Sequence, residues 1–184
     1  MAEYYLISQL PSLDGISEAA PLPITEERFL ELCGRFLGKK AAAELENLTL
    51  TPSLIAEKTG SSLIEAWNDG ERDLRLALGK LRAEKMSKAF PQGNKNFPPE
   101  LLRAAAAAVE MEGPLEAECF LSHYRLSFLE TLRPMDNFSE DFVYYYCLKL
   151  KLLQRARQFD TQLGETAYRN IYNSIMSGDR LEAI

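Results

Sequence analysis

The sequence contains a single histidine, and this scarcity excludes most metal-dependent chemistry. His123 has no second histidine with which to form an HExxH motif or a three-histidine zinc site. A di-iron bundle would need a glutamate three residues earlier, but Phe120 occupies that position. Cys119 lies four residues before His123 without two further convergent ligands. We therefore expect neither a metal nor another cofactor, and we interpret His123 as a surface or partly buried helical residue.

Cysteines and long apolar runs are also few. Cys33, Cys119 and Cys147 lie far apart, each among apolar helical residues, which predicts buried free thiols in a reducing cytoplasm. No apolar run approaches the roughly 18–20 residues needed to cross a bilayer, so we predict no direct membrane insertion. Residues 1–11 lack the charged and apolar regions of a signal peptide. We expect a soluble, cytoplasmic protein.

Motifs for catalysis and for nucleic-acid binding are missing as well. The segment GRFLGKK at 34–40 fails the phosphate-loop pattern, because its glycines are too close and Lys40 replaces the magnesium-binding hydroxyl. Glutamates around Gly113 are interpreted as solvated acids at a helix junction. They are Glu110, Glu112, Glu116 and Glu118. No Ser–His–Asp or Cys–His set can be assembled, so we expect that the protein is not an enzyme. The net charge of −6 argues against nucleic acid as the main partner.

What the sequence does contain is apolar residues at helical spacing in most segments. This pattern predicts a mainly α-helical protein, either a helical bundle or two packed helical lobes. Tyr4–Leu10 is apolar on both alternating sets and is predicted to be a buried extended segment or short strand. Residues 91–99, rich in proline and asparagine, predict a linker between an N-terminal lobe at 1–90 and a C-terminal lobe at 100–184. The alternative is that both lobes pack as one domain.

Capping residues predict the helix boundaries. Thr25 followed by two glutamates indicates a helix start, and Pro99 and Pro114 suit first helical turns. Gly70 predicts a kink or two abutting helices. The predicted helices are 25–38, 39–47, 62–89, 99–111, 114–132, 139–159 and 165–176. Four residues of the helix at 62–89 are predicted to share one buried face: Trp67, Leu74, Leu78 and Leu81. Their possible partners on the helix at 139–159 include Leu150, Leu153 and Phe159.

Charge is distributed unevenly along this acidic chain. Basic residues concentrate at 71–88, and the segment 149–157 has basic residues without any acid. Such a run is either a solvated face or a docking surface for an acidic partner. The consecutive tyrosines 144–146 point about 100° apart on a helix, so we expect at least one ring near the surface, as interface tyrosines often are. The predicted partner-binding residues are Arg72, Arg75, Arg82, Tyr144, Tyr145, Lys149, Lys151, Arg155 and Arg157.

Several segments, taken in order, carry a resemblance to a known family. They are YYLISQLPSL near the N-terminus, EERFLELC at 26–33, Trp67 with LRLALGKLRA, GPLEAECFLSHYRLSFLETL at 113–132, and FVYYYCLKLKLLQRARQFDTQLG at 142–164. The chain resembles a bacterial family encoded alongside the components of V/A-type (vacuolar-type) ATPases. That family is itself similar to the C subunit of these rotary ATPases, whose eukaryotic counterpart is called the d subunit. Together these segments touch most of the chain, and none of them is a catalytic signature.

The resemblance implies a non-catalytic structural connector in a rotary ATPase. The C subunit is a helical, funnel-like spacer that sits on the membrane rotor ring and receives the end of the central shaft. The implied partners are therefore the central-stalk subunits and the rotor ring, at the cytoplasmic face of the membrane. The implied role is coupling between the stalk and ion or proton transport. The residues alone leave a second hypothesis open, namely a generic helical adaptor or regulator that binds another protein.

Overall fold

The computed structural model describes residues 2–16, 20–55, 58–90, 95–158 and 161–176. Within these residues the regular secondary structure is entirely helical, and the mainly α-helical prediction is confirmed. The helices are α1 Ala2–Gln9, α2 Glu26–Phe36, α3 Lys39–Glu46, α4 Ser62–Lys85, α5 Pro99–Glu110, α6 Pro114–Thr131, α7 Glu140–Arg157 and α8 Thr161–Met176.

Side-chain caps begin α2, α4 and α7, and proline begins α5 and α6. Thr25 Oγ1 accepts a hydrogen bond from the Arg28 amide at 3.3 Å, and Ser139 Oγ accepts one from the Phe142 amide at 3.2 Å. These bonds satisfy amides that have no partner inside the helix. Proline occupies the first turn of both α5 and α6, as predicted. The main differences are at two ends, because α4 stops at Lys85 and α8 begins at Thr161.

The N-terminal segment is a helix, so the prediction of an extended segment is wrong. Leu6 is fully buried, whereas Tyr4 and Tyr5 are exposed, so only one face of α1 contacts the rest of the protein. Leu10, four residues after Leu6, is partly buried against the same core. An isolated extended segment would leave backbone groups without partners, while a helix pairs them internally. Apolar residues on both alternating sets had suggested two buried faces, but the Tyr4 and Tyr5 side chains point to solvent.

Helix α7 lies at the centre of the main core. It packs against α2, α3, α4 and α6, and every residue from Val143 to Leu150 is buried. A helix that is apolar around its whole circumference is expected to be enclosed by others. The start of α7 is tied to the start of α4, because Ser61 Oγ donates to Asp141 Oδ1 at 2.6 Å. This helix therefore sets the position of the elements around it.

A second, smaller core cluster joins α4, α5 and α6. Leu74 and Leu78 of α4 pack here with Leu101 and Leu121, whereas Trp67 belongs to the main core with Leu150 and Leu153. The prediction that one face of α4 packs throughout on α7 is therefore wrong beyond Trp67. Leu81 is only partly buried at the edge of the second cluster, and Phe159 lies outside the described residues.

The predicted linker does not separate these two clusters, since α4 and α6 contribute to both. Residues 95–98 are non-helical, and 91–94 lie outside the described residues. Elements on either side of this segment pack together, as α4 does with α5 and α7.

Gly70 allows close packing and does not interrupt α4, which is continuous from Ser62 to Lys85. A Cβ atom added at Gly70 would overlap the Phe128 ring of α6. The same ring stacks on Trp67, with 6.1 Å between ring centroids. The glycine thus serves the α4–α6 contact, and the alternative of two abutting helices is wrong.

Candidate protein-binding surfaces

The three consecutive tyrosines of α7 are all buried, so the prediction of a surface ring is wrong. None of the three is more than 5% exposed. Their hydroxyls point in different directions and each finds a partner: Tyr144 donates to Glu44 at 2.9 Å, Tyr145 to Glu130 at 2.7 Å, and Tyr146 to the carbonyl of Pro11 at 2.8 Å. Neighbours on every side of α7 make this possible. Burial raises the pKa of Tyr145 to about 12.

Lys149, which the sequence suggested as a partner contact, is buried in an ionic cluster. Its Nζ lies 2.5 Å from Asp14 Oδ1 and 2.6 Å from Glu130 Oε1, and it also donates to Tyr145 Oη at 3.2 Å. Burial opposes the charged form of Lys149, but hydrogen bonds to Asp14 and Glu130 outweigh it and raise the pKa of Lys149. The hydrogen bond from Lys149 lowers the pKa of Asp14. This cluster fastens the loop after α1 to α6 and α7.

The other basic residues of α7 also have internal partners. Lys151 Nζ lies 2.9 Å from Glu26 and donates to the Leu48 carbonyl at 2.8 Å. Arg155 pairs with Glu118 at 2.6 Å, and Arg157 donates two hydrogen bonds to the Ala20 carbonyl at 2.9 and 3.1 Å. These bonds hold the helix against surrounding loops and helices. The basic segment is thus part of the fold, and it does not form an open docking face.

The basic residues of α4 are partly engaged as well. Arg72 donates to the Ser53 carbonyl at 3.2 Å, and Arg75 contacts Thr51 Oγ1 at 3.0 Å, so both hold the loop after α3. Only Arg75 and Arg82 are exposed among the predicted partner-binding residues. Of the nine residues predicted to bind a partner, these two alone are exposed enough to contact one. Sequence periodicity could not distinguish a solvated basic stripe from one that pairs internally.

A buried ion pair that the sequence did not predict links α4 to α6. Glu71 is 2% exposed and accepts two hydrogen bonds from Arg125, at 3.0 and 3.1 Å. Arg75 adds a third at 2.9 Å. Glu118 lies 3.5 Å from Arg125 and pairs with Arg155 of α7, which extends the chain of charges across three helices. The i, i+4 spacing of Glu71 and Arg75 was the only sequence signal.

Exposed aromatic side chains form a patch at the N-terminal end of α7. The patch consists of Tyr4, Tyr5 and Phe138, which are 49–60% exposed. The Tyr4 and Phe138 ring centroids lie 4.9 Å apart, and those of Tyr4 and Tyr5 lie 6.0 Å apart. We call this set the aromatic patch. The apolar pattern of residues 4–10 did not predict this patch, because it indicated that Tyr4 and Tyr5 are buried.

A second apolar surface runs along α8, which begins after the C-terminal end of α7. The α8 stripe consists of Tyr168, Ile171, Tyr172 and Ile175, which are 51–67% exposed and have i, i+3, i+4, i+7 spacing. The rings of Tyr168 and Tyr172 stack with centroids 6.2 Å apart. Across the described part of the chain, α8 packs extensively against no other helix. Apolar periodicity predicted the helix but not its exposure.

The three cysteines and the single histidine differ in their exposure to solvent. Cys33 and Cys147 are buried, and burial raises the pKa of each thiol to about 12. Cys119 is exposed, contrary to the prediction. His123 lies on the surface with Nδ1 2.8 Å from the Cys119 carbonyl. Within the described ranges, no group of three or more His, Cys, Asp or Glu side chains is arranged to hold a metal ion.

A cleft of about 460 Å³ lies between α3, the loop after it and α4, with Lys40, Glu44, Asn68 and Arg72 in its lining.

None of the helices formed by the described residues is both long and apolar enough to span a bilayer. Comparison with protein-family models, with curated proteins and with solved structures gives no match for this chain.

Proposed function

We propose that this protein is a non-catalytic structural connector of a V/A-type rotary ATPase, similar to the C subunit, which couples the central stalk to the membrane rotor ring. The observation that carries the proposal is the aromatic patch of Tyr4, Tyr5 and Phe138. These rings are large, exposed and in contact with one another, whereas the basic residues of α7 that were predicted to bind a partner are paired inside the protein.

The composition and support of the aromatic patch suit a protein contact. Tyrosine and phenylalanine are enriched in interfaces, and a few aromatic anchors commonly supply most of the binding energy. The patch rests on a fixed base, because Leu6 of α1 is fully buried and α1 packs on α2. A surface held in this way loses little conformational entropy when a partner binds. Contiguous exposed apolar groups of this kind mark interaction sites.

The family resemblance supports the identity of the assembly. Tyr4 and Tyr5 open the segment YYLISQLPSL, one of those that resemble the ATPase-associated family. Leu6 in that segment serves the core, but the fold does not require exposed rings at positions 4 and 5. A contact with a neighbouring protein of the assembly gives these two tyrosines a role. The remaining segments of the resemblance contribute residues to the two core clusters, which would give the connector a rigid body.

The test is binding of the full chain to the purified central-stalk subunits and rotor ring of the V/A-type ATPase from the same organism, measured by biolayer interferometry. We expect Tyr4→Ala and Phe138→Ala each to weaken binding by about 2 kcal/mol, which is roughly 30-fold in Kd. Met86→Ala is the control, because it removes a large exposed apolar side chain that belongs neither to the aromatic patch nor to the α8 stripe. Since the basic residues of α7 are paired internally, raising the salt concentration should change the affinity only modestly.

Absence of binding by the wild-type chain at low salt would refute the connector proposal. The generic helical adaptor would then be the better hypothesis, with the same aromatic patch as its contact surface. If the Tyr4 and Phe138 variants bind as the wild type does, the connector proposal stands, but the aromatic patch is not its contact surface. Genes for the catalytic A and B subunits beside the gene for this chain would favour the connector over the adaptor.

A further inference from the structure

The α8 stripe lies outside the segments that carry the family resemblance and outside the aromatic patch, so it needs its own explanation. Tyr168, Ile171, Tyr172 and Ile175 form one continuous apolar face that the rest of the described chain leaves uncovered. We infer that the α8 stripe is the contact between two copies of this chain, with the two α8 helices antiparallel about a twofold axis between Ile171 and Tyr172.

The order of residues in the stripe is self-complementary in this arrangement. Tyr168 of one copy lies opposite Ile175 of the second copy, and Ile171 lies opposite Tyr172. Each aromatic ring therefore meets an aliphatic side chain at every level of the pair. In a parallel pair each tyrosine would instead face the same tyrosine of the second copy. The two helix dipoles would also point in the same direction, which is less favourable than an antiparallel arrangement. Twofold pairing through one shared patch is also the commonest form of homo-oligomer.

The charge of α8 permits two copies to approach at this point. The chain as a whole carries −6, so copies repel one another in general. Residues 161–176 carry only Glu165 and Arg169 as charged side chains, and these form an i, i+4 pair at 3.5 Å. The helix is therefore locally neutral. Electrostatic repulsion between copies is weakest where the apolar stripe lies.

The same charge distribution disfavours a lipid surface as the occupant. An interfacial helix that binds anionic lipid carries several lysine or arginine residues on its polar face. In α8 the basic side chain is Arg169, and it is already paired with Glu165. Asn170 and Asn173 are exposed on α8 and are uncharged. A second neutral, apolar helix matches this surface better than a membrane does.

The surface area that the two α8 stripes would bury indicates how tightly two copies would associate. Aromatic side chains bury about 150–250 Å² when fully enclosed, and those of the stripe already have part of their surface covered. Four side chains from each copy, at roughly 100 Å² each, would bury about 800 Å², which is typical of weak or transient association. We therefore expect a dimer that forms in the micromolar range and dissociates on dilution.

Sedimentation velocity of the full chain, from about 5 to about 500 µM, tests the inference. The wild type should shift from the mass of one chain, 20.8 kDa, to twice that mass as concentration rises. Ile171→Lys should weaken the dimer by at least about tenfold. Asn170→Lys is the matched control, because it adds the same charge on the opposite side of α8, and it should behave as the wild type does. Circular dichroism should show unchanged helix content, because Ile171 is exposed in the isolated chain.

A mixing experiment tests the antiparallel register itself. Tyr172→Glu should also prevent self-association. Mixing it with Ile171→Lys should restore a dimer, since the introduced charges would face each other across the twofold axis. A wild type that stays monomeric throughout the range would refute the inference and leave α8 for a different partner. A dimer that tolerates Ile171→Lys, or one that mixing does not restore, would refute the proposed contact. None of these results depends on whether the chain binds an ATPase.

Discussion

The buried ion pair between Glu71 and Arg125 allows a quantitative test of how α4 and α6 are held together. Replacing Arg125 with methionine, which has a similar length, removes two hydrogen bonds to Glu71 and one of 3.5 Å to Glu118, and it leaves the Glu71 carboxylate 2% exposed. Breaking a buried ion pair by removing one partner costs about 3–5 kcal/mol. Because Arg75 still donates to Glu71 at 2.9 Å, we expect the lower end, about 3 kcal/mol. The neighbouring Glu118 keeps its pairing with Arg155.

Urea unfolding followed by circular dichroism measures this loss. With an m-value of about 2 kcal/mol/M, a loss of about 3 kcal/mol lowers the unfolding midpoint by about 1.5 M. Arg75→Met is the control, because that arginine is 39% exposed and its removal should cost no more than about 1 kcal/mol. The double variant Glu71→Leu with Arg125→Met should be within about 1 kcal/mol of the wild type, since apolar residues of similar volume can replace a buried pair.

The reasoning fails if Arg125→Met lowers the free energy of unfolding by less than about 1 kcal/mol, the amount expected for an exposed pair. It also fails if the double variant is less stable than Arg125→Met alone. That result would mean that the pair contributes specific packing which an apolar replacement cannot reproduce.

Two further predictions concern the ionic cluster and the α4–α6 contact. The hydrogen bond from Lys149 lowers the pKa of Asp14, so this pair stabilises the protein above the unfolded pKa of about 3.9 and loses its effect as pH falls through the folded value. Melting temperatures measured from about pH 6 to about pH 2 should therefore fall less steeply for Asp14→Asn than for the wild type, and equal slopes would contradict the assignment. Gly70→Ala should destabilise the protein because the added Cβ overlaps the Phe128 ring, although alanine favours a helix by about 1 kcal/mol. Gly34→Ala, within α2 and facing open space, should instead be stabilising, and a stabilising Gly70→Ala would show that Phe128 moves freely.

Local sequence signals predicted much of the secondary structure because capping and proline act within a single helical turn. A hydroxyl at Thr25 or Ser139 caps a helix whatever surrounds it, and proline at Pro99 or Pro114 fits a first turn because no internal amide partner is needed there. The same signals could not predict α1. Tyr4 and Tyr5 are apolar enough to suit a buried segment, and only the absence of a neighbour on one side leaves them exposed.

The candidate surfaces depended on tertiary structure to a greater degree. Basic residues from 149 to 157 had the composition of a docking face, but Lys149 and Lys151 meet Asp14 and Glu26, more than one hundred residues away in the chain. Charge pairing over such separations cannot be inferred from spacing within one helix. The aromatic patch likewise joins Tyr4 to Phe138 across most of the chain.

The sequence by itself therefore determined that this is a helical chain and where most of its helices begin. These properties follow from composition and from interactions within a few residues. Only the tertiary structure decided which faces are covered. It encloses all three tyrosines of α7, turns the basic stripe inward onto distant acids, and leaves α8 and the start of α1 exposed. The physical reason is that burial depends on how many elements surround a helix, and an amphipathic pattern does not specify that number.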